Sequence, residues 1–436
     1  MSTRQSHSGK ASVLSLLFMG AGQFYNKQFS KGVILAGVEI IFVIFFIPFI
    51  YYGLWGLVTL GEVPQRMEGG KIISGDHSIF LMIYGILSIL LLFVFIALYA
   101  LNYFDAKNVG KQRDNGKHVK NIGNSIATLF EKGFPYMLLT TPTMFLIFLT
   151  ILPLVFGILI AFTNYSGPNN LPPRALLDWV GFDNFLRLLT FPLLTRTFLG
   201  VTTWTVIWAF AATLTTSFTG LIMAVLINRH GITLKRLWRT IFVLPWAMPG
   251  FISILIMRNM FNGQFGPINR YLEFIGISSI PWFAETIWAR ITVIIVNLWL
   301  GFPYFMAMMS GVISGISKEL YEAAEIDGAN HSQQFWKITI PMVLYMTAPL
   351  LIMSFAYNLN NFNLIYLLTG GTPTNASYFY AGNTDILLSW IYKLTLERSQ
   401  FHLASVVSII VFIIVAGFSI FNLRNTRSFK EEGIVQ

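Results

Sequence analysis

Two short stretches place amides and hydroxyls where a membrane would be expected to tolerate few. One runs Asn297-Leu-Trp-Leu-Gly-Phe-Pro-Tyr304 and the other Ser354-Phe-Ala-Tyr-Asn-Leu-Asn-Asn-Phe362, with Asn363 just beyond. Polar side chains inside apolar segments are costly and usually face a cavity or a partner. Uncharged Asn, Ser and Tyr groups beside the rings of Trp299, Tyr304 and Tyr357 suit a neutral polyhydroxylated ligand. The amides bond hydroxyls, and the rings cover the apolar faces of pyranoses. Helix–helix hydrogen bonding needs no ligand and explains the same residues equally well from polarity alone.

Covalent chemistry finds less support. The chain has no cysteine, which removes thiolate nucleophiles, thiolate metal sites and disulfides. Its six histidines show no paired metal-ligand spacing, and no paired carboxylates or nucleophile–base set falls within the apolar segments. Gly110-Lys-Gln-Arg-Asp-Asn-Gly-Lys-His118 is the nearest approach to a phosphate-binding loop. It has one residue too many between its glycines and no Ser or Thr after Lys117. Any nucleotide chemistry therefore belongs to another chain, and no cofactor is expected in this one.

The elements that must position the polar stretches are membrane spans. Of 436 residues 55% are hydrophobic and 11% charged, against about 25% charged in soluble domains. The apolar runs predict an all-α polytopic protein of eight spans, near 32–52, 79–103, 136–162, 198–227, 238–260, 287–311, 342–368 and 402–423. Net charge is +10, and with the N-terminus inside about 19 of the 29 Lys and Arg fall on inner segments. Both termini are then cytoplasmic, and the basic balance reflects topology, with no nucleic-acid partner. The weakly apolar run 11–19, broken at Gly20-Ala-Gly-Gln23, predicts an interfacial or re-entrant helix against the first span. Pro245 and Pro249 predict a kink in the fifth span.

Between the sixth and seventh spans lies a polar insert, Glu322-Ala-Ala-Glu-Ile-Asp-Gly-Ala-Asn-His-Ser-Gln-Gln-Phe-Trp-Lys-Ile-Thr-Ile-Pro341. Ser317 can cap a helix reaching Glu325, and Asp327-Gly328 can break it, since Gly reaches backbone states that other residues reach at a cost. Asn330 with Gln333 three residues on forms a capping-box pair for a second helix. Pro341 then restarts the chain into the seventh span. Such a helix–turn–helix on the inner face is either an amphipathic connector or a seat for a soluble partner.

Here the residues resemble a known pattern. Glu322, Ala323, Ala324, Asp327, Gly328, Ala329, Ile338 and Pro341 stand at the spacing of the EAA loop of ABC-importer permeases. The resemblance implies coupling helices over 317–341 that seat in a cleft of an ATP-binding subunit. The two polar stretches, together with Phe162-Thr-Asn-Tyr-Ser166, Leu176-Leu-Asp-Trp-Val-Gly181 and Leu367-Leu-Thr-Gly-Gly371, resemble MalF-type permeases of maltose and maltodextrin importers from about residue 136 onward. That resemblance implies that Asn297, Leu300, Gly301, Tyr304, Ser354, Tyr357 and Asn358 hold the sugar. At Tyr357 the best-known members have Phe.

The resemblance also implies the rest of the machine: a second, MalG-like permease, two copies of an ABC ATPase that bind ATP and Mg, and an extracellular sugar-binding protein. Gram-negative MalF proteins carry a large domain between the third and fourth spans. Here that loop is about thirty residues, as in Gram-positive forms, which implies a lipid-anchored binding protein. The expected organisation is a segment 1–31, an accessory hairpin 32–105, a cytoplasmic loop 106–135, a permease core 136–423 and a tail 424–436. Another oligosaccharide or glycoside is an alternative cargo. An ion-coupled sugar transporter would need a titratable group in the bundle, and Glu39, outside the expected core, is the candidate.

Overall fold

The computed structural model describes residues 6–116, 130–131, 133–171, 174–229 and 231–425. Arg4, residues 117–129 and 132 of the expected loop 106–135, including Lys117 and His118, and nearly all of the tail 424–436 lie outside the described residues. Among the described residues the fold is all-helical apart from one short exposed hairpin, β1 (Arg66–Glu68) with β2 (Lys71–Ile73), and two isolated bridges. Two compact units meet in sequence between Gly181 and Phe182.

The first unit starts with two short helices, α1 (His7–Leu17) and α2 (Ala21–Tyr25), followed by the long apolar helices α3 (Phe29–Thr59), α4 (Ser78–Asp114) and α5 (Phe134–Ile160). In α3 only 6% of the most apolar stretch is buried, as a lipid-facing helix requires. Helices α3 and α4 approach closely at Gly53, where a Cβ would stand 2.7 Å from the Tyr84 carbonyl oxygen. Small residues at such crossings allow the backbone contact that drives association in lipid.

The N-terminal helices do not lean on the first span alone. They pack mainly on the end of the second, because α4 continues about three turns past the expected boundary at 103 and carries polar groups there. Asp114 accepts from Ser6 Oγ at 2.8 Å and from the His7 and Ser8 amides. Gln23 donates to the Asn102 carbonyl and to Asp105, and Asn26 to the Ala106 carbonyl. Glu39 accepts the Met19 amide, so it ties α1 to α3 structurally. After α5, Asn164 and Asp178 exchange two hydrogen bonds of 3.0 Å, pairing two of the motif segments with each other.

The second unit is built on α7 and α11. It comprises α6 (Asp183–Thr190), α7 (Pro192–Asn228), α8 (Lys235–Ala247), α9 (Gly250–Met260), α10 (Pro267–Phe274), α11 (Thr286–Gly315), α12 (Lys318–Ile326), α13 (His331–Leu359), α14 (Phe362–Leu368), α15 (Leu387–Tyr392) and α16 (Phe401–Asn425). The apolar stretches of α7 and α11 are each 44% buried, which marks them as the centre of the bundle. Buried tryptophans lock the centre with their single donors. Trp208 Nε1 donates to the Asn358 carbonyl at 3.0 Å and Trp204 Nε1 to the Thr384 carbonyl at 3.2 Å.

Among the described residues six helices are long and apolar enough to cross a membrane, and α8 with α9, bent by 91° at Met248–Pro249, is a broken span or a re-entrant loop that makes a seventh when counted as one span. With α16 the described residues hold eight candidate spans. Two further boundaries differ from the sequence reading. Pro341 does not restart the chain: α13 runs unbroken from the polar insert, and a π-type turn at Phe335–Thr339 precedes the proline, where the ladder lacks an N–H. The expected seventh span instead breaks at Asn360-Asn361, and Asn361 caps α14 by accepting the Leu364 amide.

The Leu367–Gly371 motif proves to be a packing device. Gly371 has φ +84°, and a Cβ there would stand 2.3 Å from both carboxylate oxygens of Asp385. Asp385 is fully buried, and burial pushes its carboxyl above the usual range against the pull of its donors. These are Lys393 Nζ at 2.7 Å, Ser389 Oγ at 2.8 Å and the Gly382 amide at 2.6 Å. Removing one member of a buried pair strands the other. Asp385→Ala is therefore expected to lower stability by about 3–5 kcal/mol, seen as a lower unfolding temperature in detergent. An Asp385→Leu/Lys393→Met double variant recovers most of that loss. Equal loss in the single and double variants contradicts the pairing.

Candidate functional site

Asn297, Gly301 and Tyr304 recur at i, i+4 and i+7 along α11, which puts them on one face. Ser354, Tyr357 and Asn358 do the same at i, i+3 and i+4 near the end of α13. These two faces, with Leu300, border a single cavity of about 650 Å³. All seven residues named from the sequence line it.

The remaining wall comes from elements that the polar pattern did not single out. The 91° break places Pro245, Trp246, Met248, Phe251 and Ile254 along the cavity, and Thr216 enters from α7. The Trp246 ring meets the Tyr304 ring at 6.0 Å and 60°. Pro245 and Pro249 were the available signal for this wall, since a broken helix exposes the side chains at its break. Asn361 and Asn363 also line the cavity, whereas Trp299 and Asn360 do not; Asn360 bonds back to the Ala356 carbonyl.

Hydrogen bonding separates the two amides at the centre. Asn358 Nδ2 donates to Thr213 Oγ1 at 3.1 Å and to Ser354 Oγ at 3.5 Å, so part of its polarity joins helices. Asn297 is 8% exposed, and among the described residues no hydrogen bond reaches its amide. A nearly buried amide without a protein partner costs free energy unless water or a ligand satisfies it. No charged side chain lines the cavity among the described residues.

The polar insert forms the hairpin read from its residues. Ser317 caps α12 through the Glu319 amide. The Gly328 amide bonds the Glu325 carbonyl and the Ala329 amide the Ala324 carbonyl, with Gly328 at φ +78°. That pair of bonds is a Schellman stop, which glycine fills without strain. Asn330 and Gln333 make the reciprocal capping box that opens α13. Tyr321 braces the two arms through a 2.8 Å bond to Thr339.

Glu322, Ala323, Asp327 and Gly328 are exposed, Ala324, Ala329 and Ile338 half-buried, and Pro341 exposed. Ile326 is 88% exposed and Trp336 64%. Apolar side chains this uncovered on a polar hairpin leave room for a docked surface. Helix α13 joins hairpin to cavity without a break. Its 29 residues span about 43 Å at 1.5 Å per residue, so a displacement at one end can be delivered to the other.

A membrane-embedded helical bundle with an uncharged cavity and an exposed hairpin at the end of a cavity-lining helix defines a translocation subunit. The chain belongs to the family of binding-protein-dependent transport system inner membrane components, whose pattern matches residues 216–425. It is 40% identical over 428 residues to the galactooligosaccharides transport system permease protein GanP of Bacillus subtilis (strain 168), covering 98% of this chain and 99% of that protein. It is 39% identical over 435 residues to the maltodextrin transport system permease protein MalC of Streptococcus pneumoniae serotype 4, covering 98% and 97%. Against the maltose/maltodextrin transport system permease protein MalF of Vibrio vulnificus (strain YJ016) the identity is 39% over 268 residues, 61% of this chain and 51% of that one. A chain of a bacterial ABC transporter involved in alginate import shares the fold, with a TM-score of 0.58 and 21% identity over 70% of this chain and 99% of that chain.

The chain is thus a multi-pass plasma-membrane permease subunit of an ABC importer and not an enzyme. ATP hydrolysis resides in a separate ATPase subunit.

Proposed function

We propose that this permease carries neutral oligosaccharides of the maltodextrin class. The observation that supports this most directly is the cavity itself, lined by amides, hydroxyls and aromatic rings and by no charged side chain among the described residues. In this reading Asn297, Tyr304, Ser354, Tyr357 and Asn358 bond or cover the sugar, while Leu300 and Gly301 shape the wall. The Tyr357 hydroxyl adds one donor that tunes preference among oligosaccharides. The membrane chemistry is transfer without bond cleavage.

The partners are a second, MalG-like permease, two ATPase subunits carrying ATP and Mg, and a lipid-anchored binding protein. Residues 317–341 face the cytoplasm, as do both termini. Closure of the ATPases moves Glu322–Ala329, and α13 carries that motion to the cavity. Glu39 is engaged with the Met19 amide, which favours ATP coupling over an ion-coupled cycle. A second cargo, galactooligosaccharide, is favoured by the 40% identity to a protein that bears that name. Uptake into proteoliposomes holding the assembled importer is the test. Labelled maltodextrin entering with ATP, unaffected by an uncoupler and outcompeting galactooligosaccharide, is the expected result. Preference for galactooligosaccharide replaces the cargo, and ATP-independent uptake lost with an uncoupler rejects the mechanism.

A further inference from the structure

A second cavity, of about 560 Å³, lies in the same unit between the end of α9, α14 and the 370–398 segment. Arg258, Tyr366, Asn375, Tyr378, Tyr380 and Arg398 line it. None of these residues belongs to the cavity described above, yet the two cavities share walls. On α14, Asn363 and Leu364 border the first, and Tyr366 and Leu367 the second. On α9, Phe251 and Ile254 border the first and Arg258 the second.

Tyr380 is held there against its backbone preference. Its φ is +56°, and it is 41% exposed. For a bulky aromatic residue this is a conformational outlier, and such strain collects at functional positions. The residue before it is clamped on both sides. The Phe379 amide donates to Thr197 Oγ1 at 2.7 Å, and its carbonyl accepts Trp390 Nε1 at 2.8 Å. The Arg398 guanidinium lies 4.5 Å from the Tyr380 ring centre.

Charge does not dominate this lining. Lys393 is occupied by Asp385 and the Gly370 carbonyl, and Glu397 stands beside Arg398 in the wall. Arg258 makes one long bond, 3.5 Å, to the Leu367 carbonyl. What the wall offers a ligand is three tyrosines and guanidinium donors, since the Asn375 amide is already bonded to Asn383 and to the Ser377 N–H.

We propose that this cavity is an outer oligosaccharide subsite, taking the trailing sugar units while the leading ones occupy the cavity around Asn297. The proposal rests on the sugar reading above and on its orientation, and it adds a length-dependent contact. A short sugar seated in the first cavity does not reach the second, whereas a long one does.

The test compares Tyr380→Asn and Arg258→Gln with wild type in the assembled importer, using maltose and a long maltodextrin. Asn tolerates positive φ, so the first variant keeps the loop and removes the ring. Arg258→Gln probes the α9 part of the lining without touching the strained residue. The expected result is a rise in KM of about tenfold for the long maltodextrin, equivalent to about 1.4 kcal/mol, with maltose uptake and ATPase stimulation by loaded binding protein unchanged. Equal losses for both lengths with weaker retention of the binding protein overturn the subsite in favour of a protein-docking socket. No change for either sugar overturns it outright. A wild-type importer that takes up neither sugar overturns the sugar reading on which the subsite rests.

Discussion

Gly328→Pro should abolish coupled transport while leaving the importer assembled. Gly328 sits at φ +78° in the stop between α12 and α13, and its amide bonds the Glu325 carbonyl. Proline cannot reach that φ and has no amide proton, so the turn must be rebuilt at a cost of order 3 kcal/mol. A bias of that size against the docking geometry lowers uptake by about a hundredfold. A series separates geometry from mere substitution: Asn enters the left-handed region readily, whereas Ala pays about 1–2 kcal/mol. The expected order of uptake is Gly, then Asn, then Ala, then Pro. Nothing packs within 4 Å of a Cβ built at Gly328, so the backbone term is not confounded by a clash. Uptake and ATPase stimulation by loaded binding protein are measured on complexes that co-purify intact. A Gly328→Pro complex with wild-type values for both removes the coupling role of the hairpin.

Asn297→Leu is the second large effect, and its sign differs between the two meanings of a polar residue in a membrane helix. If Asn297 served to bind helices together, Leu would weaken the bundle. Among the described residues its amide has no protein partner, so replacing it by an apolar side chain of similar size removes an unsatisfied group and leaves stability equal or higher. Transport should move the other way, falling about tenfold through the loss of a hydrogen bond to the sugar. Asn358→Leu gives the contrasting case. Its amide also bonds Thr213 and Ser354, so stability and uptake fall together. Unfolding temperature in detergent and uptake in proteoliposomes are read on the same preparations. Wild-type uptake by Asn297→Leu excludes the residue from the sugar site.

Much of both sites was legible because their information is local. The caps at Ser317 and Asn330, and the glycine stop between them, are interactions over three to five residues, so their spacing states their geometry. The same holds for Asn297, Gly301 and Tyr304, which helical periodicity places on one face whatever lies opposite. The polarity of Asn360 and Asn361 was less transparent. An amide that caps a helix break, as Asn361 does, has the same sequence signature as one that waits for a ligand.

What the sequence alone determined is therefore the class of chain, the eight apolar segments, the hairpin and the two polar helix faces that border one cavity. Tertiary structure decided which surfaces share a cavity. It brought Trp246 to Tyr304 and Phe251 into the same cavity through a 91° break, set α1 against the end of α4, and closed Gly371 over Asp385. These depend on partners tens to hundreds of residues apart, and in lipid the tails are as apolar as the helices, so hydrophobicity does not choose among helix faces. Close packing and buried hydrogen bonds make that choice, and both exist only once the chain has folded.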